Sequence, residues 1–153
     1  MAEAARRAEA AGAFLIDINM GCPVKKIAKK GGGSGLIRDP VLAARIVATV
    51  AAAVTIPVTV KTRLGWCGDT NSGDTDSGAT TAAAIRWCQQ LQEAGAQLLT
   101  LHGRTREQGF KGQADWQAIA QVKAALEIPV IANGDITSGA DALRCLEIGR
   151  AHV

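Results

Sequence analysis

The sequence predicts an α/β fold, a partial (β/α)8 TIM barrel of about four central β/α units. Helix-like segments alternate with short apolar runs, a rhythm that builds a parallel sheet with crossover helices. Each run closes on polar residues: Asn19 and Cys22, Lys61, His102, then Asn133-Gly134-Asp135. Barrels of this type gather their active sites at the C-terminal ends of the strands. No G-x-G-x-x-G follows any of the runs, which disfavours a dinucleotide-binding sheet; Gly31-Gly32-Gly33-Ser34-Gly35 follows a lysine-rich segment instead. A complete barrel takes about 250 residues, so a chain of 153 residues is short for one.

The elements follow in order. An Ala-rich helix over about 2–11 passes through Gly12 to a strand over 13–18, in which Ala13-Phe14-Leu15-Ile16 reads as buried. Asn19-Met20-Gly21-Cys22-Pro23 is then a tight loop, followed by a helix carrying Lys25, Lys26, Lys29 and Lys30. A thiol in such a loop is partly exposed and electropositive, an environment that suits an acid or a nucleophile. A second helix near 40–52 is led by Asp39 as cap and Pro40 in its first turn, and precedes a strand over 57–61. A third helix near 79–94 ends at Gly95 before a strand over 97–102. A fourth near 115–126 precedes a strand over 128–133, and a last helix near 138–147 follows the capping Ser138.

Composition narrows the function classes. Net charge is only +3, and no apolar stretch is long enough to span a membrane. The opening Met1-Ala2-Glu3-Ala4-Ala5-Arg6-Arg7 lacks the apolar core of a secretion signal, which makes a cytoplasmic protein with reduced thiols the expectation. The cysteines at 22, 67, 88 and 145 form no C-x-x-C pair, so no metal site is expected. The polar stretch 68–78 has no apolar anchor, reads as a mobile insertion, and lacks the final Glu of an EF-hand.

Taken in order, Asp17-Ile18-Asn19-Met20-Gly21-Cys22-Pro23-Val24-Lys25-Lys26, Val60-Lys61-Thr62-Arg63-Leu64-Gly65-Trp66, Leu101-His102-Gly103-Arg104-Thr105-Arg106 and Pro129-Val130-Ile131-Ala132-Asn133-Gly134-Asp135-Ile136 closely resemble the tRNA-dihydrouridine synthases. That resemblance runs to about residue 147. It implies an FMN-dependent oxidoreductase that takes electrons from NADPH or NADH and reduces uridine to 5,6-dihydrouridine in tRNA. Cys22 would give the proton, as the family's loop cysteine does. Lys61 would sit at the flavin ring, His102 would contact flavin or substrate, and Asn133, Gly134 and Asp135 would meet the ribityl and phosphate region. Asn19, Lys25, Lys26, Arg104 and Arg106, with Lys111 nearby, would face the RNA. The alternatives are another FMN barrel of the dihydroorotate dehydrogenase type, or an inactive fragment that binds RNA weakly.

Against the family pattern, the chain is expected to lack the first two barrel strands, with Met1 as an internal start, and to be incomplete as an enzyme. Residues 1–147 are read as the partial catalytic barrel. Residues 148–153 are read as a non-native tail, since Ile-Gly-Arg-Ala-His-Val is what ATC GGA AGA GCA CAC GTC encodes, the start of a common sequencing-library adapter.

Overall fold

The computed structural model describes residues 1–67 and 77–150. In chain order these form α1 (Ala2–Ala10), β1 (Ile16–Asn19), α2 (Lys25–Ala28), a 3-10 segment (Gly33–Arg38), α3 (Pro40–Ala51), β2 (Val58–Arg63), α4 (Ser77–Glu93), β3 (Leu98–His102), α5 (Trp116–Ala124), β4 (Val130–Asn133) and α6 (Gly139–Arg150). The strands make one parallel sheet in the order β1-β2-β3-β4, with a helix in every crossover. This is the arc of a (β/α)8 barrel that the alternation predicts.

Strand residues alternate between two faces, and the register makes those faces chemically distinct. Ile18, Val58, Val60, Leu99 and Leu101 pack with Val47 and Val50 of α3, Leu91 of α4, and Ile119 and Val122 of α5 in one buried cluster. Leu99 and Leu101 are fully buried, and truncating either to Ala would cost about 2–5 kcal/mol. Cys88 lies in the same core, where burial pushes its thiol up to about 12, so it is an inert apolar group. On the opposite face, Asn19 aligns with Lys61, Lys61 with Thr100, Arg63 with His102, and His102 with Asn133. The groups that end the strands therefore share one face and one end of the sheet.

Local chemistry fixes where the helices start. The Asp39 carboxylate accepts from Leu42 N at 3.0 Å, with Pro40 in the first turn of α3. Asp115 accepts from Ala118 N at 2.8 Å to open α5, and the Ser138 hydroxyl accepts from Asp141 N at 3.1 Å ahead of α6. Helix α6 continues past residue 147 to Arg150.

Two expectations need correction. The run 13–16 is not a buried strand: β1 begins at Ile16, and Phe14 is 91 % exposed. β1 pairs with β2 alone among the described residues. The lysine-rich helix after Cys22 is a single turn, because Lys29 and Lys30 follow its end and a 3-10 segment begins at Gly33. The insertion 68–78 lies outside the described residues over 68–76, while Ser77 and Gly78 open α4. Among the described residues no helix is long and apolar enough to cross a membrane.

Candidate active site at the strand ends

The Cys22 loop is tied down on all sides. Asn19 Oδ1 accepts from both Gly21 N (3.0 Å) and Cys22 N (3.1 Å), an Asx-type turn that begins as β1 ends. The Cys22 carbonyl accepts from Ser34 N at 3.1 Å and from the Ser34 hydroxyl at 2.8 Å. Gly33 sits at φ +52°, and a Cβ there would come within 2.9 Å of Cys22 Cβ. The small-residue segment is thus a backstop for the cysteine. Cys22 itself is half-buried.

Arg63, at the end of β2, is the tie that sequence reasoning missed. It is 4 % exposed and meets no carboxylate among the described residues. Its Nε donates to the Gly21 carbonyl at 3.0 Å, and one terminal nitrogen donates to the carbonyls of Thr105 (3.1 Å) and Gly109 (3.0 Å). One guanidinium therefore bridges the loop after β1 and the loop after β3. Its position within Val60-Lys61-Thr62-Arg63, in phase with Lys61 on an alternating strand, is the signal that could have found it.

Lys61 Nζ donates to Asn133 Oδ1 at 3.0 Å, reaching across β3. Burial lowers the Lys61 pKa, as does the charge of Arg63, with Asp17 opposing. His102 is buried, and its Nδ1 has no hydrogen-bond partner among the described residues. Burial first, then the charges of Arg63, Lys61 and Arg104, push its pKa down to about 4. His102 is thus a neutral imidazole at physiological pH, with a free polar atom for a ligand. Gly134 sits at φ +109°, and a Cβ there would lie 3.2 Å from His102 Nε2. The absent side chain leaves room for the ring.

This depressed pKa predicts a pH dependence of stability. Between the ordinary 6.5 and the folded value of about 4, the unfolded chain holds more protons, so stability is lost as pH falls through that window. Thermal melts of wild type should drop on acidification from about 6.5 to about 4. His102→Gln should flatten that drop; an equally steep profile would show that other groups govern it.

Asp135 and Arg104 work together. Asp135 Oδ2 accepts from Arg104 at 2.8 Å and from Ala114 N at 2.6 Å, and the Ala114 N–H foremost holds its carboxyl below the usual range. Arg104 also donates to the carbonyls of Lys111 (3.2 Å) and Gly112 (2.7 Å). The sequence assigns Arg104 to the RNA-facing loop; the structure instead turns it inward, 5 % exposed, as a brace for residues 111–114. The pair lines a cleft of about 820 Å³ with Ala114, Trp116, Asp141 and Arg144. Lys25, Lys26 and Lys111 are exposed, whereas Arg106 is half-buried against Trp66. Among the described residues no three His, Cys, Asp or Glu side chains are grouped to hold a metal ion.

A neutral imidazole, a half-buried ammonium and a braced thiol on one rim suit binding and protonation of a planar, polar heterocycle. The family profile described as dihydrouridine synthase (Dus) matches residues 1–153. The chain belongs to the dihydrouridine synthase family. It is 60 % identical over 147 residues to the Synechocystis protein named "Probable tRNA-dihydrouridine synthase 1", covering 96 % of this chain and 38 % of that one. Over 146 residues it is 49 % identical to tRNA-dihydrouridine synthase B of Xanthomonas axonopodis pv. citri, covering 95 % of this chain and 41 % of the relative. The chain thus spans about 40 % of the length of these dihydrouridine synthases. Among solved structures, a Pseudomonas aeruginosa chain assigned as a dihydrodipicolinate synthetase aligns with a TM-score of 0.62 at 17 % identity, over 95 % of this chain and 44 % of its own length. That likeness supports the barrel fold alone.

Proposed function

We propose that this chain forms the central part of an enzyme that reduces uridine in tRNA to 5,6-dihydrouridine, with FMN as cofactor and NADPH as electron donor. The observation that carries the reading is Cys22, in a loop held by Asn19, Ser34 and Arg63 on the same rim as Lys61, His102 and Asn133. Reduction of the uracil 5,6 double bond needs a hydride on one carbon and a proton on its neighbour. Bound FMN supplies the hydride; Cys22 Sγ supplies the proton.

The residues present fit the cofactor. The unpartnered His102 Nδ1 offers a hydrogen bond to a ring or a ribityl hydroxyl. Lys61 would offer a cation to the negative charge of a reduced flavin, and Asn133 steers the ammonium. Asp135 stands at φ +59° after Gly134, its charge balanced by Arg104, so the turn remains available to a phosphorylated chain. Asn19 keeps its side-chain amide nitrogen free for substrate among the described residues, since its hydrogen bonds here run through Oδ1. A cytoplasmic location belongs to the same reading, supported by the proposed tRNA substrate.

Purified intact protein should carry flavin absorbance and convert transcribed tRNA to a product with two added hydrogens per modified uridine, at the expense of NADPH. Colourless, inactive protein after reconstitution with FMN would overturn the proposal. Lys61→Ala should weaken FMN affinity or slow flavin reduction by about tenfold, the effect of losing about 1.4 kcal/mol of charge stabilisation. Titration of apoenzyme with FMN, together with stopped-flow NADPH oxidation, reads both. Unchanged values in both would return Lys61 to a structural role.

A further inference from the structure

Trp66, in the loop after β2, has two guanidinium groups on its ring: Arg38 at 5.0 Å from the centroid and Arg106 at 4.6 Å. Arg38 closes the 3-10 segment that backs the Cys22 loop, and Arg106 belongs to the loop after β3. The cluster therefore joins segments that follow three different strands, two of which supply the cations. We propose that Arg38, Trp66 and Arg106 form a preorganised contact for the phosphodiester backbone of the RNA substrate. This rests on the function proposed above and adds a contact surface to it.

Charge points to a polyanion. Neither arginine pairs with a carboxylate among the described residues, where the ion pairs are those of Arg6 and Arg7 with Glu3 and of Arg104 with Asp135. Arg106 Nε is buried with no hydrogen-bond partner among the described residues. Two like charges share one indole, and each cation–π contact offsets their repulsion by only about 0.5–1 kcal/mol. A phosphodiester backbone passing the cluster would meet two cations that no described carboxylate neutralises.

Rigidity points to a built surface. Arg106 N donates to the Gly65 carbonyl at 2.9 Å and Glu107 N to the Trp66 carbonyl at 3.0 Å, so the two loops move as one. A stacked guanidinium has already lost much of the rotamer freedom that a lysine loses on binding. Its planar fork also matches a phosphate in a two-point contact. Lys25, Lys26, Lys29 and Lys30, exposed and without a partner ring among the described residues, lack this preorganisation.

The test measures tRNA binding by the intact protein as a function of salt, for wild type, Arg38→Gln, Arg106→Gln and Trp66→Phe, with a polyglutamate of matched charge as control. Each arginine change should weaken tRNA binding about 3–10-fold and lower the slope of log K against log salt by about 0.7–0.9. Trp66→Phe should weaken binding without changing the slope, because it loosens the arginines and removes no charge. Flavin content and NADPH oxidation without tRNA should match wild type. Arg38 is exposed, so its variant folds even if the Arg106 change does not. Unchanged slopes in Arg38→Gln, or equal weakening of tRNA and polyglutamate, would overturn the RNA-backbone assignment. Failure of wild type to modify tRNA would instead overturn the function it rests on.

Discussion

Replacing Cys22 with Ala should leave FMN bound and cut dihydrouridine formation by about 10²–10⁴-fold, the usual loss on removing a positioned general acid. The loop's shape does not depend on the thiol. Its turn is held through Asn19 Oδ1, its carbonyls through Ser34 and Arg63, and its spacing through Gly33. No described hydrogen bond uses Cys22 Sγ, so alanine deletes the proton donor and little else. Cys22→Ser should recover only part of the rate, because a hydroxyl is a far weaker acid in the same place. Single-turnover conversion of tRNA, read beside flavin absorbance of the same sample, separates chemistry from cofactor loss. Near-normal conversion by the alanine variant would sink the assignment of Cys22.

What the sequence made legible follows periodicity and chain order. The strand-and-helix rhythm located each strand to within a few residues, and polar residues after apolar runs marked the rim that carries Asn19, Lys61, His102 and Asn133. The caps at Asp39 and Ser138 were legible because they act within a single helical turn. What escaped depends on partners distant in sequence. An arginine in a basic-looking loop reads as an RNA contact, yet Arg104 is consumed by Asp135, which lies after the next strand. Phe14 and Leu15 have the apolarity of a core strand, yet both are exposed among the described residues, because burial depends on what packs against a side chain and not on its apolarity alone. The lysine run after Cys22 suggests a longer helix, which Gly31, Gly32 and Gly33 cut short.

Arg63→Met should uncouple the two loops that frame the site, lowering the rate of dihydrouridine formation about 10²-fold while FMN affinity stays within about threefold of wild type. The change strands the carbonyls of Gly21, Thr105 and Gly109, each worth about 1–3 kcal/mol when left buried and unsatisfied. Part of that penalty is relieved where water reaches Gly109, which is half-buried, so a net loss of about 3 kcal/mol in stability is expected. The larger consequence is positional: a shift of about 1 Å in a reacting group costs on the order of 10²-fold in rate, and Gly21 directly precedes Cys22. Alkylation of Cys22 by iodoacetamide should speed up as the loop loosens, a readout that a merely structural arginine elsewhere in the core would leave unmoved. Arg63→Lys tests whether charge or span matters, since an ammonium retains the charge but cannot fork to carbonyls on two loops. If Lys restores both the rate and the wild-type alkylation profile, the bridging geometry is not what Arg63 contributes, and its charge alone sets the site.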